Sequence, residues 1–139
     1  METITGWFRL LAGSVNLPAA WGLPEVAGVI VEAPPGCGGP EVVAEAARQA
    51  GIASVVITGG YIEKEPLSQL VNVVDAIKVD LKAIREEYYR DIVRGELGPV
   101  LDRLVQIKKS GVWLELVYLV VPTLNDSDAE FRDLARELL

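Results

Sequence analysis

Asp80 and Lys82 are the two residues whose type and spacing are best suited to chemistry in this chain. They close the run Asp75-Ala76-Ile77-Lys78-Val79-Asp80-Leu81-Lys82. Strand side chains alternate faces, so Ile77, Val79 and Leu81 form an apolar row and Lys78, Asp80 and Lys82 a charged one. A lysine at a strand end can form a Schiff base once desolvation activates it, with a nearby carboxylate as acid or base. The same two groups, sharing a face, can also simply neutralise each other. The charged row fits an edge strand, where lysines discourage unwanted pairing. It fits equally the inner wall of a barrel, where strand C-termini face the ligand. Spacing alone leaves both open.

Much other chemistry is excluded by composition. The chain has one cysteine and no histidine in 139 residues. No intramolecular disulfide, no His/Cys metal cluster and no Ser-His-Asp or Cys-His nucleophile system can be assembled from it. No metal ligand and no catalytic residue is assigned. Cys37 reads as a loop thiol, with glycine neighbours that could leave it exposed. The run Pro34-Pro35-Gly36-Cys37-Gly38-Gly39-Pro40 could present backbone N–H groups to an anion. It matches neither phosphate-loop nor dinucleotide spacing, and reads as flexible punctuation.

A formal net charge of −7 argues against non-specific nucleic-acid binding, and no basic amphipathic segment suggests a membrane surface. The longest apolar run, Val112 to Val121, is interrupted by Glu115 and too short to span a bilayer. Pro18, Trp21, Pro24 and Glu25 break any signal-peptide pattern, so the expected location is cytoplasmic.

The elements that must position Asp80 and Lys82 follow from periodicity. Residues 1–26 hold no single period and read as a short helix followed by an irregular arm, with residues 27–139 as one α/β domain. Val26 to Glu32 reads as a short strand. Pro40 opens a helix striped by Val43, Ala46, Ala47 and Ala50 and stopped by Gly51. Ser54 to Thr58 is a β-branched strand, closed by Gly59-Gly60. Pro66 to Val74 is a helix leading into the Asp75–Lys82 strand. Ile84 to Val93 reads as helical with Ile84, Tyr88 and Ile92 at four-residue spacing, and Tyr88 rather than Tyr89 in the core. A helix from Leu97 ends at Gly111, and Val112 to Val121 is the longest strand, closed by Pro122. Asn125 or Asp126 is expected to cap the last helix, where Ser127 and Glu130 have capping-box spacing. The alternation implies a parallel sheet with right-handed crossovers: about four βα units, an incomplete (β/α) barrel.

From Gly51 onward the chain resembles radical S-adenosylmethionine enzymes of the pyruvate formate-lyase-activating-enzyme group. Four segments carry the resemblance: Val-Ile-Thr-Gly-Gly-Tyr-Ile (56–62), Val-Asp-Ala-Ile-Lys-Val-Asp-Leu-Lys (74–82), Glu-Leu-Gly-Pro-Val-Leu (96–101) and Gly-Val-Trp-Leu-Glu-Leu (111–116). The last continues to Leu-Val-Val-Pro-Thr-Leu-Asn-Asp-Ser-Asp (119–128). The resemblance implies a partial barrel with a 4Fe-4S cluster and S-adenosylmethionine at its strand ends. It implies an adenosyl radical that takes hydrogen from a substrate or a partner protein. Asp80 and Lys82 match the family's Asp-Leu-Lys, which implies that Lys82 meets the methionine carboxylate. Thr58 and Gly60 match its Thr-Asn-Gly, with Gly59 in place of Asn, and are implied cofactor-binding residues with Asp80 and Lys82. Thr123 stands where the family's turn reads Pro-Gly.

The family's Cys-x3-Cys-x2-Cys loop has no counterpart here, and Gly38-Gly39-Pro40-Glu41 only distorts its Gly-Gly-Glu segment. Three readings follow. The first is a truncated or degenerate radical S-adenosylmethionine domain without its own cluster. The second is a non-catalytic binding or assembly subunit that completes a barrel as a homo-oligomer, or with a partner supplying the missing N-terminal half. The third is a Schiff-base lyase using Lys82.

Overall fold

A computed structural model describes residues 38–138. The expected strand at Val26–Glu32, Cys37 and the N-terminal arm lie outside these residues. The described order is α1 (Gly39–Gln49), β1 (Val55–Thr58), α2 (Lys64–Leu70), β2 (Ala76–Leu81), α3 (Glu86–Tyr88), a π-helical turn (Tyr89–Val93), α4 (Leu97–Ser110), β3 (Trp113–Tyr118) and α5 (Asp128–Leu138). The three strands form one parallel sheet in the order β1-β2-β3. This is a partial βα fold of three strands and five α-helices among the described residues.

β2 organises the sheet because it is paired on both sides. Ile57, Lys78 and Glu115 share one rung, and Val55, Ala76 and Trp113 the preceding rung on the same face. Ile77, Val79 and Leu81 are almost completely buried, under Leu67, Leu70 and Ala44 at one end and Tyr88, Tyr89, Leu97 and Val100 at the other. Burying side chains of this size stabilises the fold by about 1.5–3 kcal/mol each. The opposite face is different. Val55, Ile57 and Trp113 are 61%, 66% and 72% exposed, so the helices described here cover one face only. The strand starts are tied by Asp75, whose carboxylate accepts from the Ser54 N–H at 2.7 Å.

Two expected elements change form. The Ile84–Val93 helix is a three-residue α-turn followed by the π-turn. A π-turn holds more residues per turn than an α-helix, so it shifts the phase of the stripe. Tyr89 is consequently buried together with Tyr88, while Ile92 at 48% exposure is turned out of the core. The second change is at β3, which stops at Tyr118 rather than running to Val121. After one more ladder bond, Leu119 N–H to Leu81 C=O at 3.2 Å, a side chain takes over the backbone groups.

Candidate functional site

Asp80 and Lys82 lie at the C-terminal end of β2, on the sheet face that the helices leave open. Lys82 Nζ is 3.5 Å from Asp80 Oδ2, and each side chain is about one-third exposed (33% and 34%). Two residues earlier on the same face, Lys78 Nζ is 3.3 Å from Glu115 Oε1 across the β2–β3 pair. The charged row is therefore two ion pairs of the same face. Pairs this open contribute about 0–1 kcal/mol to stability, because water screens them. Their value lies in what they offer: an ammonium and a carboxylate, side by side and reachable, complement a ligand carrying both charges. For Schiff-base chemistry the arrangement is poor, because Lys82 keeps access to water and a carboxylate neighbour instead of the apolar surroundings that activate such a lysine.

Lys82 is held by its backbone from two sides. It lies one residue past the strand, and its N–H donates to the Tyr89 hydroxyl at 3.2 Å. Its carbonyl accepts from Asn125 Nδ2 at 2.7 Å. The same amide nitrogen donates to the Leu119 carbonyl at 2.7 Å, and Asn125 Oδ1 accepts from the Val121 N–H at 2.6 Å. Asn125 is 1% exposed. The expected role of Asn125 as a helix cap is thus corrected: its side chain joins the ends of β2 and β3. An amide supplies two donors and an acceptor, which is what two unpaired carbonyls and one unpaired N–H require. Ser127 does the capping, with its hydroxyl accepting from the Glu130 N–H at 3.2 Å, while Asp126 accepts from the Thr123 N–H at 2.9 Å. That contact fastens a turn in which Thr123 has φ 71°, the left-handed conformation that favours the glycine the resemblance leads one to expect.

Glu130 was expected to complete the capping box and does not. Its carboxylate turns inward, to the Tyr118 hydroxyl at 2.8 Å, the Ile84 N–H at 3.2 Å and the Arg85 guanidinium. Arg85 also donates to the Leu124 carbonyl at 2.6 Å. Glu130 is 2% exposed. Burial pushes its carboxyl up, but the hydrogen bonds from Tyr118, Arg85 and Ile84 outweigh burial and leave it below the usual carboxylate range. Burial first, and then donation to Glu130, push the Tyr118 phenol far up. Loss of water likewise raises the Tyr89 phenol, only partly offset by the Lys82 N–H. Tyr89, Arg85, Tyr118, Asn125 and Glu130 were missed as a group by sequence reasoning. Asn125 and Glu130 drew attention only as capping residues of the last helix, and Tyr89 only as a residue outside the core.

Thr58 and Gly60 lie at the end of β1 but not with Asp80 and Lys82. Thr58 is the register partner of Val79, so its side chain is on the helix-covered side of the sheet. Its hydroxyl accepts from the Gly60 N–H at 3.1 Å. Gly60 has φ 81°, and a Cβ there would come 2.9 Å from Val100 Cγ1 and 3.2 Å from Val79 Cγ1. Close packing of the β1 end against β2 and α4 accounts for this glycine. Glu41 lies in the first turn of α1, with Oε2 buried and without a hydrogen-bond partner. Among the described residues no group of three or more His, Cys, Asp or Glu side chains could hold a metal ion. No described helix is long and apolar enough to cross a membrane.

No family model matches the chain. It is 43% identical over 81 residues to an uncharacterized protein of Methanocaldococcus jannaschii. The match takes in 58% of this chain and 23% of that protein, so the chain spans about a quarter of its relative's length. Among solved structures, it is similar to a domain of pyruvate-formate lyase-activating enzyme from Bacteroides vulgatus, with a TM-score of 0.67. The alignment covers 80% of this chain and 71% of that domain at 15% sequence identity. The likeness is one of fold: the parallel βα framework whose strand ends carry Asp80 and Lys82 is shared with a domain of an activating enzyme.

Proposed function

We propose that this chain is a radical S-adenosylmethionine-type domain, part of an incomplete (β/α) barrel, that holds S-adenosylmethionine but does not carry a cluster of its own. The observation that carries the reading is the Asp80–Lys82 pair, open at the C-terminal edge of a parallel sheet. Ligands of such sheets bind outside the strand C-termini. The methionine part of S-adenosylmethionine is a zwitterion, with its carboxylate suited to Lys82 and its ammonium to Asp80. The fold likeness to an activating-enzyme domain supports the same direction.

The donor set does not fit a 4Fe-4S cluster. A site-differentiated cluster takes three thiolates from protein, and these 139 residues contain one cysteine. The cluster would have to be held by another chain or by sequence beyond these residues. The test has two arms. Anaerobic iron–sulfide reconstitution should leave the purified chain without stoichiometric iron, whereas a bound 4Fe-4S cluster would overturn the reading. Calorimetry with S-adenosylmethionine should show binding that Lys82→Ala weakens roughly tenfold or more, the worth of a hydrogen bond to a charged group; equal affinity in the variant would remove Lys82 from the site.

A second reading, assembly through the open sheet face, draws on the exposure of Val55, Ile57 and Trp113. Apolar sheet surface of this kind is commonly covered by another chain. Light scattering decides it: a stable oligomer that Trp113→Lys dissociates supports assembly, and a monomer at tens of micromolar discards it.

A further inference from the structure

We infer that Tyr89 and Asn125 are positioning residues for Lys82, acting on its ammonium by gripping its backbone; the part that concerns ligand affinity rests on the reading above. Both residues hydrogen-bond the Lys82 backbone, whereas its ammonium pairs with Asp80. Within β2, backbone groups bond to the neighbouring strands, which leaves no choice of orientation beyond the pleat. Lys82 lies beyond Leu81, the last residue of that ladder, and its two backbone groups are instead held by two side chains from separate segments. Both side chains are buried to within 1%. Tyr89 reaches Lys82 only because the π-turn brings it round to the core beside Tyr88. Single π-turns are frequent at functional sites. Asn125 ties the Lys82 carbonyl to that of Leu119, so the peptide after β2 is set against the peptide after β3. With N–H and C=O both fixed, the Cα–Cβ direction of Lys82 is fixed too. A long flexible side chain then begins from one orientation and meets Asp80 at 3.5 Å. Presenting the ammonium this way reduces the ordering that a ligand must impose.

Two measurements on the full chain test this, and the first needs no ligand. Competitive acylation with an N-hydroxysuccinimide ester of acetate, followed by peptide mass spectrometry, reads each lysine separately. Lys64, Lys78, Lys108 and Lys109 serve as internal standards. Tyr89→Phe removes one hydroxyl and keeps the ring in the core, so it is expected to fold. It should change the Lys82 acylation rate roughly fivefold, about the worth of one hydrogen bond, and leave the other four lysines unchanged. Asn125→Ala, checked for native circular dichroism, should act in the same direction. An unchanged Lys82 rate in Tyr89→Phe, or a parallel change at all five lysines, overturns the inference.

The second measurement is a double-mutant cycle on S-adenosylmethionine affinity with Tyr89→Phe and Lys82→Met. If Tyr89 acts through Lys82, its roughly fivefold effect disappears once Lys82 is gone. An equal effect in both backgrounds would make Tyr89 a merely structural residue. Should the unaltered chain bind no S-adenosylmethionine, the functional reading falls, and acylation still decides whether Tyr89 and Asn125 position the lysine.

Discussion

Glu130→Gln tests the buried network under the strand ends most directly. Gln has nearly the volume of Glu, so the exchange opens no cavity. Its carbonyl oxygen can still accept from Tyr118, as Glu130 does now at 2.8 Å, and from the Ile84 N–H at 3.2 Å. The other carboxylate oxygen becomes an NH2 group facing the Arg85 guanidinium, donor against donor. Breaking a fully buried ion pair typically costs about 3–5 kcal/mol. Arg85 is 45% exposed, however, and can turn its charge to water. The loss is then closer to that of a hydrogen bond to a charged group, about 2 kcal/mol. For a chain of this length that is a fall in Tm of about 8 °C.

The pH dependence carries the sign. The folded carboxyl lies below its ordinary value of 4.5. Its stabilisation is therefore complete above about pH 4.5 and is lost as pH falls through the folded value. Urea unfolding followed by circular dichroism should give a full gap between the unaltered chain and Glu130→Gln at pH 7, narrowing only in acid below 4.5. A gap under about 0.5 kcal/mol at pH 7, which is what an ordinary surface exchange gives, would refute the argument. So would one that persists unchanged into acid.

Three further outcomes are expected. Thr123→Gly should raise stability by about 0.5–1 kcal/mol, because a β-branched residue at φ 71° costs about 1–2 kcal/mol and glycine returns part of that gain as lost entropy; a lower urea midpoint would contradict it. Gly60→Ala should cost about 2–3 kcal/mol, since the new methyl meets Val100 at 2.9 Å in a left-handed backbone, and thermal melting of the variant is the check. Glu115→Gln should change unfolding stability by less than about 1 kcal/mol, because its pair with Lys78 is open to water; a larger loss would mean that this face is covered in solution.

The elements of this fold were legible where one physical rule dominated. Apolar alternation marked β2, and its observed ends lie one residue inside the expected ones. Gly111, at φ 83°, stops α4 where a left-handed residue was needed. Legibility failed where a local pattern served a distant partner. Ile84, Tyr88 and Ile92 have α-helical spacing, yet the helix widens to a π-turn that brings Tyr89 inward, where its hydroxyl accepts from the Lys82 N–H. Ser127 and Glu130 have capping-box spacing, yet only the serine half forms. Three donors lie within reach of the Glu130 carboxylate, two of them more than forty residues away in sequence. A capping rule describes neighbours along the chain and has no access to such competition.

The candidate site divides along the same line. Asp80 and Lys82 could be paired on paper because residues two apart on a strand must share a face. Thr58 and Gly60 could not be placed against them from sequence, since the relation depends on register between strands. Thr58 pairs with Val79 rather than with Asp80, and that single step puts its hydroxyl on the helix-covered face. A one-residue shift in β1–β2 register would have brought Thr58 level with Asp80 on the open side. The register is fixed by packing: with Thr58 opposite Val79, Val56 stands beside Ile77 in the core, and Gly60 can approach Val79 and Val100 without a side chain in the way. The apolar core thus decides which polar groups meet at the open edge, and it selects Asp80 and Lys82 without Thr58.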